Sequence, residues 1–126
     1  MFIRQEQPSD GDAIRRLHRL AFAKPAGGDG PARDGSVEAN LVDQLRAEGD
    51  LVEPLCLVAE REGVVVGHVA VSRASLDDAP AALVAIGPIG VLPELQNTGV
   101  GSALMHATIA AADGRDWQSG TVMAPL

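Results

Sequence analysis

Two glycines one residue apart, Gly99 and Gly101, stand where an apolar segment gives way to a helical pattern. The segment carries Leu83, Val84, Ala85 and Ile86, then Ile89, Val91 and Leu92; beyond Pro93, Val100, Leu104, Thr108 and Ile109 recur at helical spacing. The order strand, turn, helix places the first amides of the helix at the turn. Those N–H groups have no intrahelical acceptor and sit at the positive end of the helix dipole, which suits a phosphate or pyrophosphate. Two common phosphate motifs fail here. A Walker loop needs a Gly-Lys pair, and Lys24, in a distant loop, is the only lysine. The dinucleotide fingerprint needs a third glycine where Ala103 or Leu104 stands.

The turn fits instead a Gln-x-x-Gly-x-Gly signature, Gln96 to Gly101, following a strand that ends in Val-x-Pro. With it come EANLVDQLRAEGDLV (38–52), LVAEREGVVVGHVAVS (57–72) and IGPIGVLPELQNTGVGSALM (86–105), in that order. At these three blocks the chain resembles the GCN5-related N-acetyltransferases, specifically the group whose strand reads like GPIGVLPE before the turn.

The resemblance implies one domain over 1–126 with an α/β fold, a mixed sheet in the order βααβββαβ, and acetyl-coenzyme A as co-substrate for transfer to a primary amine of a small molecule or peptide. It places a bulge on the fourth strand that splays it from the fifth. Ile89, Gly90 and Val91 occupy that place; Gly90 would let the thioester lie close, and an N–H of Ile89 or Val91 would polarise its carbonyl. Gln96, Asn97, Thr98, Gly99, Val100, Gly101 and Ser102 would hold the diphosphate.

The departures are equally specific. Relatives of this kind have Gly then Arg or Lys where Asn97 and Thr98 stand. The amide cradle survives that change while a side-chain charge is lost, implying weaker coenzyme binding. Such relatives also continue with another helix and two strands past the fifth strand. Here the sequence ends at Leu126, and WQSGTVMAPL lacks the apolar run of a buried strand. Tyrosine, often the acid in that family, is absent. Beside the enzyme therefore stand two alternatives: a coenzyme A-binding or interaction module, and a fragment completed by a partner such as a second copy.

No general acid or base declares itself. His68 lies in a strand near the centre and Glu38 opens a helix on the acceptor side by resemblance. A lone strand histidine is more often a hydrogen-bonded core residue, and an acid at a helix start more often a capping group. His18 and His106 read as surface or packing residues. No His, Cys and Asp grouping has metal-ligand spacing.

Ten basic against 17 acidic residues, a net charge of −7, disfavours nucleic acid and anionic membranes, which need clustered Lys and Arg. Hydrophobic residues make up 46% and aromatic ones 2%, so the core is aliphatic. Cys56, the single cysteine, reads as packing. With no span-length apolar run and no signal-like start, the expected location is the cytoplasm.

In chain order, a strand is expected over 2–5 and a helix opened by Pro8-Ser9-Asp10 with a Ser9–Asp12 capping box. Its apolar stripe is Ala13, Ile14, Leu17, Leu20 and Ala21, with Arg15, Arg16 and Arg19 on the wet side. A flexible loop, 23–35, precedes a helix capped by Ser36 with Val37, Leu41, Val42 and Leu45 inward. Strands follow at 55–59 and 64–72 around a tight Glu60-Arg61-Glu62-Gly63 turn. A polar connection with Asp77 and Asp78, the fourth strand at 83–92, a helix at 99–112 and a fifth strand within 117–124 complete the order.

Overall fold

The computed structural model describes residues 1–27, 30–74, 83–114 and 122–123. The short first strand, β1 (Phe2–Gln5), leads into a 3-10 turn at Pro8–Asp10 and then helix α1 (Gly11–Phe22). The helix entry is fixed by Asp10 rather than by the expected Ser9–Asp12 box. The Asp10 carboxylate accepts from the Gln7 N–H at 2.7 Å and from both Arg4 guanidinium nitrogens at 2.8 and 2.9 Å. A bidentate Arg–carboxylate pair outcompetes a neutral serine cap. The inward stripe of α1 is also rotated from expectation. It consists of Ile14, Leu17 and His18, while Leu20 is 41% exposed.

The loop after α1 carries a two-residue ribbon, β2 (Ala23–Lys24) against β3 (Arg33–Asp34), which the Gly- and Pro-rich composition hid. Helix α2 (Ser36–Ala47) starts from Gly35, at φ 78°, instead of from a Ser36 cap; Asp34 Oδ1 accepts the Ser36 N–H at 2.9 Å. Its buried positions are Ala39 and Val42. Val37, expected inside, is 74% exposed, because the first turn overhangs a surface cavity beside the β2–β3 ribbon instead of the sheet.

After a 3-10 turn at Glu53–Leu55 come β4 (Leu57–Arg61) and β5 (Val64–Ala74), joined through Glu62 and Gly63, both at positive φ as a two-residue hairpin turn requires. Cys56 packs in the core, its Sγ accepting the Val71 N–H. Strand β6 (Leu83–Val91), a 3-10 turn at Pro93–Leu95 and helix α3 (Val100–Asp113) follow, then β7 (Val122–Met123). The expected connection with Asp77 and Asp78, and most of the expected fifth strand including Trp117, lie outside the described residues.

The five-stranded sheet runs β1-β4-β5-β6-β7, antiparallel except for the parallel β6–β7 pair. Alternation along β5 assigns its faces. A Cβ on Gly67 would meet Leu104 and Val100 of α3, whereas the next residue, His68, bonds to His18 of α1. Helix α3 thus covers one face and α1 the other, with α2 packed on α1. The core between them is aliphatic, built from Val58, Val69, Val71, Val84, Ile86 and Leu104 among others. Among the described residues no helix is long and apolar enough to cross a membrane.

Candidate functional site

Strand β6 breaks register with β5 at one place. Val69 pairs with Ile89 and Val71 with Ile86, so Ala70 alone faces Gly87 and Pro88. This bulge lies just before the expected Ile89-Gly90-Val91, where proline's missing N–H costs the ladder nothing. The described pairing with β7 is at Ala85 and Ile86, before the bulge.

Beyond the bulge the ladder fixes where main-chain groups point. Leu92 N–H donates to Val66 O at 2.9 Å, which makes Leu92/Val66 a hydrogen-bonded pair. Pairs alternate in an antiparallel ladder, so Gly90/His68 is bonded too, while Ile89/Val69 and Val91/Gly67 are not. The N–H and C=O groups of Ile89 and Val91 therefore point away from β5, to the β7 side. The N–H groups of both residues and the carbonyl of Ile89 along one edge can hold an extended amide-bearing chain, the Val91 carbonyl already accepting from the Gln96 side chain.

The turn into α3 lies beside that edge. Asn97 and Gly99 adopt φ of 66° and 96°, left-handed values that glycine takes freely and asparagine tolerates. The first intrahelical bond runs from Ala103 N–H to Gly99 O at 3.0 Å, so the amides of Val100, Gly101 and Ser102 have no acceptor within the helix. Val100 contributes only backbone, its side chain being buried. The Thr98 hydroxyl is committed to Leu95 O.

A groove of about 370 Å³ joins these parts. Ile89, Val91, Gln96, Asn97, Gly101 and Ser102 line it together with Ala21 and Phe22 from the last turn of α1. Two expected residues work differently from the reading of the sequence. The Gln96 amide donates to Val91 O at 3.0 Å and Ala21 O at 3.2 Å, so it ties α1 to the end of β6 rather than facing an anion. Gly90 does not open space for a ligand. An added Cβ would come within 2.8 Å of His18 Nδ1, so the glycine admits the imidazole from α1.

The two candidate acid–base residues are not brought together, and neither lines the groove. Glu38 borders the surface cavity beside the β2–β3 ribbon. His68 is fully buried, its Nε2 bonded to Glu6 Oε1 at 2.8 Å and its Nδ1 to His18 Nε2 at 2.9 Å; Arg46 holds the other oxygen of Glu6. Burial raises the Glu6 carboxyl, but the hydrogen bonds from His68 and Arg46 outweigh it and hold the group below its ordinary value. Burial, then the neighbouring His68, push His18 down to about 3. Glu6 and Arg46 were not singled out from the sequence, and His18 was read only as a surface or packing residue, since contacts between residues 40 to 62 positions apart leave no local pattern. Phe22, one of two phenylalanines in an aromatic-poor chain, was the one available hint.

Residues 13–123 match the Acetyltransferase (GNAT) family. The chain is 36% identical over 104 residues to an uncharacterized N-acetyltransferase of Escherichia coli K12, YjhQ, covering 80% of this chain. It spans about half the length of that relative (51%). A GNAT family acetyltransferase from Brucella melitensis, solved in complex with acetyl-CoA, superposes with a TM-score of 0.83 at 33% identity, covering 99% of this chain and 76% of the other. The Escherichia coli GNAT protein YhbS, solved in complex with CoA, follows at 0.75 and 26%, covering 92% and 58%. The match of fold, of sequence across most of the chain, and of the family pattern over residues 13–123 means that this chain belongs to the GNAT family of acetyltransferases.

Proposed function

We propose that this chain is an acetyl-coenzyme A-dependent N-acetyltransferase acting on a primary amine of a small molecule or peptide. The observation that carries the reading is the outward direction of the Ile89 and Val91 main-chain groups, into a groove that also receives the first amides of α3. The pantetheine amides bond along β6, and the diphosphate sits against the amides of Gly101 and Ser102. The amine attacks the thioester carbonyl, the new C–N bond forms, and negative charge builds on the carbonyl oxygen. The N–H of Ile89 or Val91 stabilises that charge with no reorganisation at the moment of reaction. The C–S bond then breaks with its electron pair left on sulfur, and the surplus amine proton passes to water. Orientation, rather than a dedicated acid, supplies most of the acceleration.

A second reading, a coenzyme A-binding module without turnover, is favoured by one specific observation: His68 and Glu38 both lie outside the groove, and the chain has no tyrosine. Two measurements separate the readings. Thermal unfolding with acetyl-coenzyme A at about 100 times its dissociation constant should add about 2.7 kcal/mol, several degrees for a domain of this size. Thiol release in the presence of primary amines should accompany the shift if the chain is an enzyme. A shift without release leaves the binding module; no shift removes both.

A further inference from the structure

The chain of side chains that runs from a partly exposed Arg46 through the buried Glu6 and His68 to His18 is continuous and unused by the chemistry above. Its proton order follows from its end. The Glu6 carboxylate accepts from Arg46 and from His68 Nε2–H; with a neutral His68 ring, its Nδ1 accepts and His18 Nε2–H donates to it. His18 Nδ1 is left as a bare lone pair, buried, with no partner among the described residues. The ring is not among the residues that line the groove, and burial weakens it as a base, so what it offers the groove is its shape.

That shape reaches the groove by two contacts. One face of the ring lies parallel to Phe22, with centroids 5.9 Å apart and planes 6° from coplanar, and Phe22 lines the groove. Nδ1 lies 2.8 Å from where a Cβ of Gly90 would be, against the strand segment between Ile89 and Val91. The other end of the chain, Glu6 and Arg46, borders a separate surface cavity with no lining residue in common with the groove.

We propose that His18 is a positioning residue for the coenzyme groove: the Arg46–Glu6–His68 chain aims its ring, and the ring sets Phe22 and the Gly90 segment of β6. The proposal rests on the reading of the groove as the acetyl-coenzyme A site. Its distinctive consequence is action at a distance, since Glu6 touches no part of the groove.

The test is a double-mutant cycle on the full chain, with acetyl-coenzyme A affinity read by calorimetry. Glu6→Gln keeps the side-chain shape but withdraws the charge that holds His68 and Arg46, and should weaken binding roughly tenfold. In a Phe22→Ala background the same change should have little further effect, because its route to the groove is gone. His18→Phe, which keeps a ring in that space without the Nε2 donor, is the second variant should Glu6→Gln not fold. Native affinity in a cooperatively folded variant, or an undiminished effect without Phe22, overturns the proposal. Should the unmutated chain not bind acetyl-coenzyme A, the groove reading fails on its own. The Phe22 ring resonances then decide: displacement by Glu6→Gln upholds the positioning chain, and unmoved resonances overturn it.

Discussion

The edge of β6 that turns away from β5 and the α1 face of the same strand are built on opposite principles. Along the edge, the groove is lined by backbone groups whose directions are set by ladder alternation and by the start of a helix. On the α1 side, behind the same strand, side chains from β5, α1, α2 and the residue after β1 meet in a buried polar chain. Backbone groups tolerate wide side-chain variation, because a strand and a helix N-terminus present them whatever the sequence. A buried imidazole–carboxylate chain tolerates almost none, because every member removed leaves a desolvated partner behind.

The sharpest break in that comparison is His68→Leu. It leaves a Glu6 oxygen and the His18 Nε2–H buried without partners, which should cost about 3 kcal/mol of stability. Urea denaturation is the measurement. The Arg15–Asp43 pair, which joins α1 to α2 at the surface, is the counterweight: Arg15→Ala should cost under about 1 kcal/mol. Equal losses would mean that the buried chain contributes no more than a solvated ion pair.

On the groove side, Gly101→Val should act on binding instead of folding. Gly101 meets only the Val91 and Ile89 side chains, at 3.8 and 3.9 Å from an added Cβ, so the fold accommodates a side chain there. The branches enter the groove, and acetyl-coenzyme A affinity should fall on the order of 100-fold, a change readable by calorimetry. Gly99→Val adds strain at a φ of 96°. Unchanged affinity in Gly101→Val would place the diphosphate elsewhere.

These expectations also explain what the sequence disclosed. The β6–turn–α3 unit was legible because its signal is local: β-branched residues, Pro93, two glycines and a helical period lie within thirty residues of one another. The aliphatic core and the order of the long elements were legible for the same reason. His18 was not, because a helix histidine is buried or exposed according to what lies across from it, here His68 and the bare face of Gly90. Gln96 was read as a ligand group from its place in the motif, whereas its amide is consumed by Val91 and Ala21. Val37 was misplaced because periodicity gives a face but not where the neighbouring sheet ends.

The buried chain should also leave its mark in the pH dependence of stability. His18 has a folded pKa of about 3 against an ordinary value of 6.5, so between these the unfolded chain binds more protons than the folded one. Stability contributed by the neutral ring is complete above pH 6.5 and is lost as the pH falls toward 3. The slope is up to about 1.4 kcal/mol per pH unit. Glu6 and Asp10, both held below their ordinary values, add their own losses only as the pH drops through the carboxylate range. The interval from pH 6.5 to 5 lies above that range, and His18→Phe should flatten stability there. A slope identical to that of the parent chain would mean that the ring is protonated in the folded protein.

The smallest expected effect tests the backbone side most directly. If the diphosphate is held by amides alone, adding a charge at Thr98 is a gain laid over a working site rather than the repair of a broken one. Thr98 is exposed, and its hydroxyl serves only the turn through Leu95 O, so Thr98→Arg leaves the amides of Gly101 and Ser102 where they are. An exposed ion pair is worth about 0.2–1 kcal/mol, which predicts acetyl-coenzyme A binding tightened at most about fivefold, with the gain fading at high salt. Calorimetry at two ionic strengths reads both quantities. A gain far beyond this range, insensitive to salt, would mean that the amide cradle of the parent chain is not formed until a side chain organises it, and the contrast between a preformed backbone site and a side-chain-dependent support would collapse.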